Sequence, residues 1–268
     1  MLCVVSPAKR LDVTPGPLPE GRQMTRPDFL PQTWQLVQAA RQLAVEDLRA
    51  LMHLSDPLAR LNAARFAGFH RAPGPDQALP AIHCFAGDTY IGFSVRTLDP
   101  DALRWVDRHL RILSGLYGLL RPWDAIQPHR LEMGSRLANP RGPDLYAFWG
   151  DRIARALNAQ GQAVGTKTLV NCASVEYFTA ANRKALKLRV ISPVFLEDHP
   201  DGPRIQALHA KRARGAMARF LCETHLTDPA DLRGFSTFGY AFQPGLSVPD
   251  RPVFLRAARD QDRADAAA

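Results

Sequence analysis

The chain has 268 residues, 46% hydrophobic and 22% charged, which suffices for a large buried core and excludes a disordered or fibrous protein. Thirty-four basic residues against 26 acidic ones give a formal charge of +8, which favours polyanionic partners through long-range attraction and counterion release. Four cysteines without CxxC spacing argue against zinc or a disulfide framework; the absence of an apolar run near about 18 residues and of a basic leader argues against a membrane span or export.

Along the chain, the apolar run Leu2 to Val5 predicts a buried strand that ends in the polar residues Ser6 and Lys9. Trp34, Leu36, Val37, Ala40 and Leu43 recur at helical spacing, as do Leu48, Leu51, Met52, Leu58 and Leu61 with a break at Ser55-Asp56-Pro57. Residues 71–80, with three prolines and Gly74, predict a surface loop, and Ala81 to Phe85 a second strand followed by Gly87 and Asp88. An apolar helix run is expected to end at Ser114-Gly115; Gly118, Pro122 and Pro128 then predict a turn and a stiff irregular loop. Leu169 to Asn171 and Arg189 to Phe195 predict further strands, and residues 205–221 a helix. Strands interleaved with helices give an α/β fold class. A single domain is expected over residues 1–256, with a small subdomain around residues 15–75 as the alternative and a frayed tail over residues 257–268.

Ligands of α/β sheets gather outside the carboxyl ends of strands, and Ser6, Lys9, Gly87, Asp88, Asn171, Ser174 and Glu176 all follow expected strand ends. A shared site is one reading; turns and helix caps are the other. In the helix over 205–221, Ala210, Ala213, Met217, Phe220 and Leu221 form an apolar stripe. Lys211 and Arg214 flank it on the side that carries Gly215 and Ala218, Arg212 and Arg219 on the other. A glycine inside a helix costs about 1 kcal/mol relative to alanine, so Gly215 has a reason: a phosphate or another backbone comes close.

The densest cluster is the segment from Leu113 to Gly134. Arg121, Arg130 and Glu132 sit on a proline-stiffened loop, where an Arg-Glu pair is either a structural salt bridge or a guanidinium oriented toward phosphate. Tyr117 is either a core plug or a base-stacking ring. The turn with Ser114, Gly115, Tyr117 and Gly118 suits a helix-hairpin-helix whose backbone N–H groups grip phosphate.

The segments Ser6-Pro7-Ala8-Lys9, Phe85 to Tyr90, Leu113 to Met133, Leu145 to Gly150, Asn171 to Phe178 and Ala210 to Gly215 resemble, in order and spacing, the YaaA family of peroxide stress response proteins. The resemblance spans residues 1 to about 256. It implies a compact α/β domain of unusual fold with a mixed sheet core surrounded by helices, a cytoplasmic location, and a role in limiting iron-dependent oxidative damage. It also implies DNA binding without sequence preference through a basic cleft with a helix-hairpin-helix-like element. Relatives usually carry lysine where this chain has Ala86, an acidic or amide residue at Val175 and tyrosine at His129, which removes polar groups from the expected cleft.

Two functions follow. In the first the protein binds DNA through Lys9, Ser114, Gly115, Tyr117, Gly118, Arg121, Arg130, Asn171, Ser174, Lys211 and Arg214. In the second it is an enzyme on a nucleotide or other small anion, held by Lys9, Arg130, Lys211 and Arg214, with Lys9, Asp88 and Glu176 as catalytic candidates and one of the carboxylates as general base. No P-loop, GxGxxG fingerprint, nucleophile elbow or metal tetrad is present, so no metal or cofactor is expected.

Overall fold

A computed structural model describes residues 1–14, 16 and 18–258; the expected tail lies, from residue 259 on, outside the described residues. The chain opens with β1 (Leu2–Val5), whose four residues are all buried. A strand apolar at every position is covered on both faces and belongs in the middle of a sheet.

Three helices follow, α1 (Leu30–Arg41), α2 (Val45–Met52) and α3 (Asp56–Ala67). The expected break falls slightly earlier, at residues 53–55: His53 ends α2 with a φ of 50°, and Asp56-Pro57 opens α3. Proline is at home in a first turn, where its missing N–H has no partner to lose. Residues 71–80 are irregular apart from a 3-10 turn at Pro75–Gln77 and the two-residue β2 (Leu79–Pro80).

Ala81 to Phe85 is not the expected strand. It is a helical turn, α4 (Ala81–Cys84), closed by the Phe85 N–H on the Ala81 carbonyl. A short run buried at every position has no period that separates strand from helix, and Pro80 just before it favours a helical start.

Helices α5 (Asp88–Phe93) and α6 (Pro100–His109) come next; the Asp99 carboxylate caps α6 by accepting the Ala102 N–H at 2.7 Å. The helix expected to end at Ser114 is also a strand, β3 (Leu110–Ser114), again buried at every position. Gly118, at φ +73°, returns the chain into the antiparallel β4 (Gly118–Leu120). Residues 115–117 therefore close a β-hairpin, and the helix-hairpin-helix expected there is absent.

After β5 (Ala125–Ile126), which pairs with β2, come α7 (Leu145–Trp149), α8 (Arg152–Ala163), β6 (Thr168–Cys172) and α9 (Val175–Phe178). The run Arg189 to Phe195 splits into β7 (Arg189–Ile191) and β8 (Val194–Glu197), which lie in different sheets. Pro193 between them has no N–H for a ladder and is a natural point of departure. Helix α10 (Ala207–Glu223) covers the expected 205–221, and β9 (Tyr240–Phe242) and β10 (Val253–Arg256) complete the chain.

The main sheet has the mixed order β4-β3-β1-β6-β7, with β3, β1, β6 and β7 parallel and β4 antiparallel at one edge. From β1 the chain passes to β3 on one side; from β6 it passes to β7 on the other. The β1/β6 pair is thus the topological switch point, where a crevice opens at the carboxyl ends of the strands. A three-stranded sheet, β8-β10-β9, stands beside it.

Helix α10 packs against β1, β6 and, most intimately, α5. A Cβ on Gly215 would stand 1.8 Å from the Thr89 carbonyl oxygen, and one on Gly92 2.1 Å from that of Arg212. Two glycines facing each other's helix thus let the backbones touch, so the approach that Gly215 serves is that of a neighbouring backbone. This contact sets α5 and α10 side by side over the switch point.

Candidate functional site

The crevice at the β1/β6 switch point is a cavity of about 420 Å³. That falls within the range of about 300–1,000 Å³ typical of small-molecule sites. Its walls come from four segments far apart in sequence: Ser6 to Arg10 after β1, Gly87 to Thr89 at the start of α5, Cys172 to Tyr177 after β6, and Lys211 with Arg214 on α10. The expected residues Lys9, Asp88, Ser174, Glu176, Lys211 and Arg214 are therefore together.

The floor is held by backbone and hydroxyl contacts. Ser174 donates its N–H to Ser6 Oγ at 2.8 Å, and Tyr90 donates its hydroxyl to the Ser6 carbonyl at 3.0 Å. On the rim, Lys9 Nζ lies 3.0 Å from Glu132 Oε2, while Arg130 donates to Glu132 Oε1 through Nε at 3.0 Å and Nη2 at 2.8 Å. Glu132 thus bridges two cations, and the Arg-Glu pair of the stiff loop is an ion pair that fixes Lys9. Glu176 Oε1 accepts the Gly134 N–H at 2.9 Å, which ties that loop to the far wall.

Arg214 is the cavity-lining cation set deepest in the wall. It is partly buried, burial lowers its pKa, and among the described residues it has no hydrogen-bond or ion-pair partner. A guanidinium partly buried in a cavity wall without an acceptor from the chain keeps its donors available to an acceptor on a ligand. Lys211, exposed one turn away, and Asp88, at the first position of α5, are likewise unpartnered among the described residues. The wall charges are Lys9, Arg10, Lys211 and Arg214 against Asp88 and Glu176, an excess of cations.

Other expected residues lie elsewhere. Asn171 is not in the cavity wall; its amide donates to Ser192 Oγ at 3.3 Å and its carbonyl accepts the Ala173 N–H at 3.0 Å, so it shapes the turn after β6. Arg130 acts at one remove, through Glu132. Ser114, Gly115, Tyr117 and Gly118 are buried: Ser114 Oγ accepts the Tyr117 N–H, and Tyr117 packs on Phe69 and His129 as a core plug. None of the four faces solvent, which corrects the expected phosphate-gripping turn. Arg121 is held by Asp124 at 3.0 Å, Asp28 at 3.1 Å and the Arg26 carbonyl, away from the cavity.

The opposite flank of α10 is structural. Arg219 donates to the Phe93 and Ser94 carbonyls and to Thr97 Oγ1, clamping the end of α5, and pairs with Glu223 at 2.7 Å. Of the positions expected to depart from the family pattern, His129 lies in the core and Val175 is exposed to solvent. At Ala86 the backbone carbonyl accepts from Arg10 Nε at 2.7 Å, and Arg10 lines the cavity. Arg10 is a site residue that the sequence does not single out, although it adjoins Lys9.

A larger cavity, about 670 Å³, lies by β7 and β9. Its arginines are engaged, Arg189 by Asp250 at 2.7 Å and Arg233 over the Phe242 ring, and none of the expected residues reaches it. The smaller cavity is the one that gathers the expected charged residues. All four cysteines are free and buried, and burial pushes the Cys84 thiol up to about 12. Among the described residues no helix is long and apolar enough to cross a membrane.

A five-stranded mixed sheet whose four parallel strands open at a polar, cation-rich cavity defines an α/β protein with a candidate cleft at its switch point. The family model described as "Peroxide stress protein YaaA" matches residues 1–246, and the chain belongs to that family. It is 59% identical to a UPF0246 protein of Cereibacter sphaeroides strain KD131 over 258 residues, covering 96% of this chain and all of the relative. UPF0246 proteins of Roseobacter denitrificans and of a Jannaschia species are 55% and 54% identical, over 96% and 98% of this chain and 98% and 100% of the relatives.

Proposed function

We propose that this peroxide stress protein works in the cytoplasm as an anion-binding protein whose cleft holds the phosphate of a small, nucleotide-sized ligand. The observation that carries the reading is Arg214, a partly buried guanidinium that faces a cavity with no acceptor of its own. A phosphate oxygen supplies what the chain withholds, with Lys211 and Lys9 as further cations. The volume of about 420 Å³, and the ion pair that engages Lys9 at the rim, favour a compact ligand over a long polymer. Asp88, unpartnered, is free to accept a proton or hydroxyl donor, whereas Glu176 is engaged by Gly134.

The +8 charge favours a second reading, in which the basic cleft grips the DNA backbone without regard to sequence and limits iron-dependent damage there. Calorimetric titration with adenosine 5′-monophosphate, beside fluorescence anisotropy with labelled duplex DNA, separates the two. The small-ligand reading expects saturable nucleotide binding that declines gently with salt. DNA binding in the cleft expects a fall of about ten-fold or more between about 50 and 200 mM salt, and displacement of DNA by the nucleotide. Failure of both to bind at low salt would overturn the anion cleft.

A further inference from the structure

The cavity holds charges of both signs that do not neutralise each other. Arg214 and Lys211 stand on α10, Asp88 at the start of α5, and no ion pair joins Asp88 to either cation among the described residues. The α5–α10 backbone contact fixes both helices, so the separation is built into the fold. Asp88 is the first residue of α5, one past the cap residue Gly87, and its carboxylate makes no hydrogen bond or ion pair among the described residues, which leaves both oxygens to accept from a ligand.

A ligand that is only an anion satisfies half of such a site and is repelled by the other half. From this we infer that the cleft takes a phosphate monoester whose carbon frame carries hydroxyl groups, as in sugar phosphates and the ribose phosphates of nucleotides. The phosphate engages Arg214 and Lys211, and a hydroxyl, or a vicinal pair, donates to Asp88. Carboxylates recognise sugar diols in this way because each of two oxygens accepts one O–H. Among the described residues Tyr177 is the one aromatic in the cavity wall, and it is buried, so the case for the ligand rests on its phosphate and hydroxyl groups and not on a stacked base.

This inference rests on the anion-cleft reading and its test separates the two. Calorimetric titration of the intact protein compares ribose 5-phosphate with ethyl phosphate, which has the same charge and no hydroxyl. Wild type is expected to prefer ribose 5-phosphate by about ten-fold or more, the scale of a hydrogen bond to a charged group. Asp88→Ala is expected to weaken ribose 5-phosphate by a similar factor while leaving ethyl phosphate unchanged or tighter, since a repulsive charge has gone. A purely structural Asp88 would lower both together, and that outcome overturns the inference, as does equal binding of the two esters by wild type, which leaves the anion cleft standing. Binding of neither ester overturns the cleft itself. Asp88→Asn, which keeps shape and one acceptor, is expected to retain part of the preference, which guards against misfolding of the alanine variant.

Discussion

Gly215→Ala tests how the cleft is built. In an open helix interior this change would stabilise by about 1 kcal/mol, because alanine is the better helix former. Here the added Cβ would lie 1.8 Å from the Thr89 carbonyl oxygen, 2.7 Å from its carbon and 2.9 Å from the Phe93 nitrogen, all backbone atoms. Reaching an ordinary contact requires α5 and α10 to part by more than 1 Å, and no side chain can rotate away to allow it. Overpacking of this kind costs about 3 kcal/mol, which leaves about 2 kcal/mol of net destabilisation after the propensity gain. For a chain of this size that lowers Tm by about 4–8 °C. The control is Gly68→Ala, where the nearest atom, Ala64 O, is 3.4 Å away and little change is expected. Thermal unfolding followed by circular dichroism reads both. A Gly215→Ala variant as stable as wild type, or more so, would refute the backbone-to-backbone packing that sets the spacing between Asp88 and Arg214.

Burial draws His109 and His129 down to about 4 from an ordinary value of 6.5. The unfolded chain takes up protons below about pH 6.5 that the folded chain refuses until about pH 4, so stability is level above that window and falls through it on acidification. Urea midpoints at pH 7 and pH 5 should differ less for His129→Gln than for wild type; identical differences would contradict a buried neutral imidazole. Glu197 and Arg256, both almost fully buried, are joined at 2.8 Å, and Tyr240 also donates to Glu197. Glu197→Leu strands the Arg256 charge and is expected to cost about 3–5 kcal/mol in urea unfolding, while adding Arg256→Met should recover much of it. No recovery in the double variant would show that the pair acts through something other than charge. Glu132→Gln releases Lys9 and Arg130 from their shared carboxylate and is expected to raise phosphate-ester affinity about two- to five-fold by calorimetry; a loss would mean that Glu132 serves the ligand by positioning Lys9.

The cleft was legible because its residues follow elements whose ends are marked by polar, glycine or capping residues. Ser6 and Lys9 follow a run that had to be a central strand, and Lys211 and Arg214 share one flank of a helix whose apolar stripe is regular. What failed was the assignment of short runs buried at every position. In Ala81–Cys84 the sequence suggests a strand where the chain forms a helical turn, and in Leu110–Ser114 a helix where it forms a strand, because burial on all sides erases the periodicity that separates the two. That exchange carried the hairpin residues Ser114 to Gly118 into the expected interface, although they belong to the core. The bridging role of Glu132 was equally hidden, since its partner Lys9 is 123 positions away and no local pattern links them.

The account stands on an anion site organised by Lys211 and Arg214, as distinct from diffuse positive charge. The direct measurement is calorimetric affinity for ribose 5-phosphate in the double variant Lys211→Ala/Arg214→Ala, against Arg60→Ala/Arg155→Ala, which removes equal charge from exposed surface pairs. At unchanged circular dichroism the account predicts a loss of about ten-fold or more in the first variant, the scale of charged hydrogen bonds forgone, and little change in the second. Equal losses in the two would contradict it.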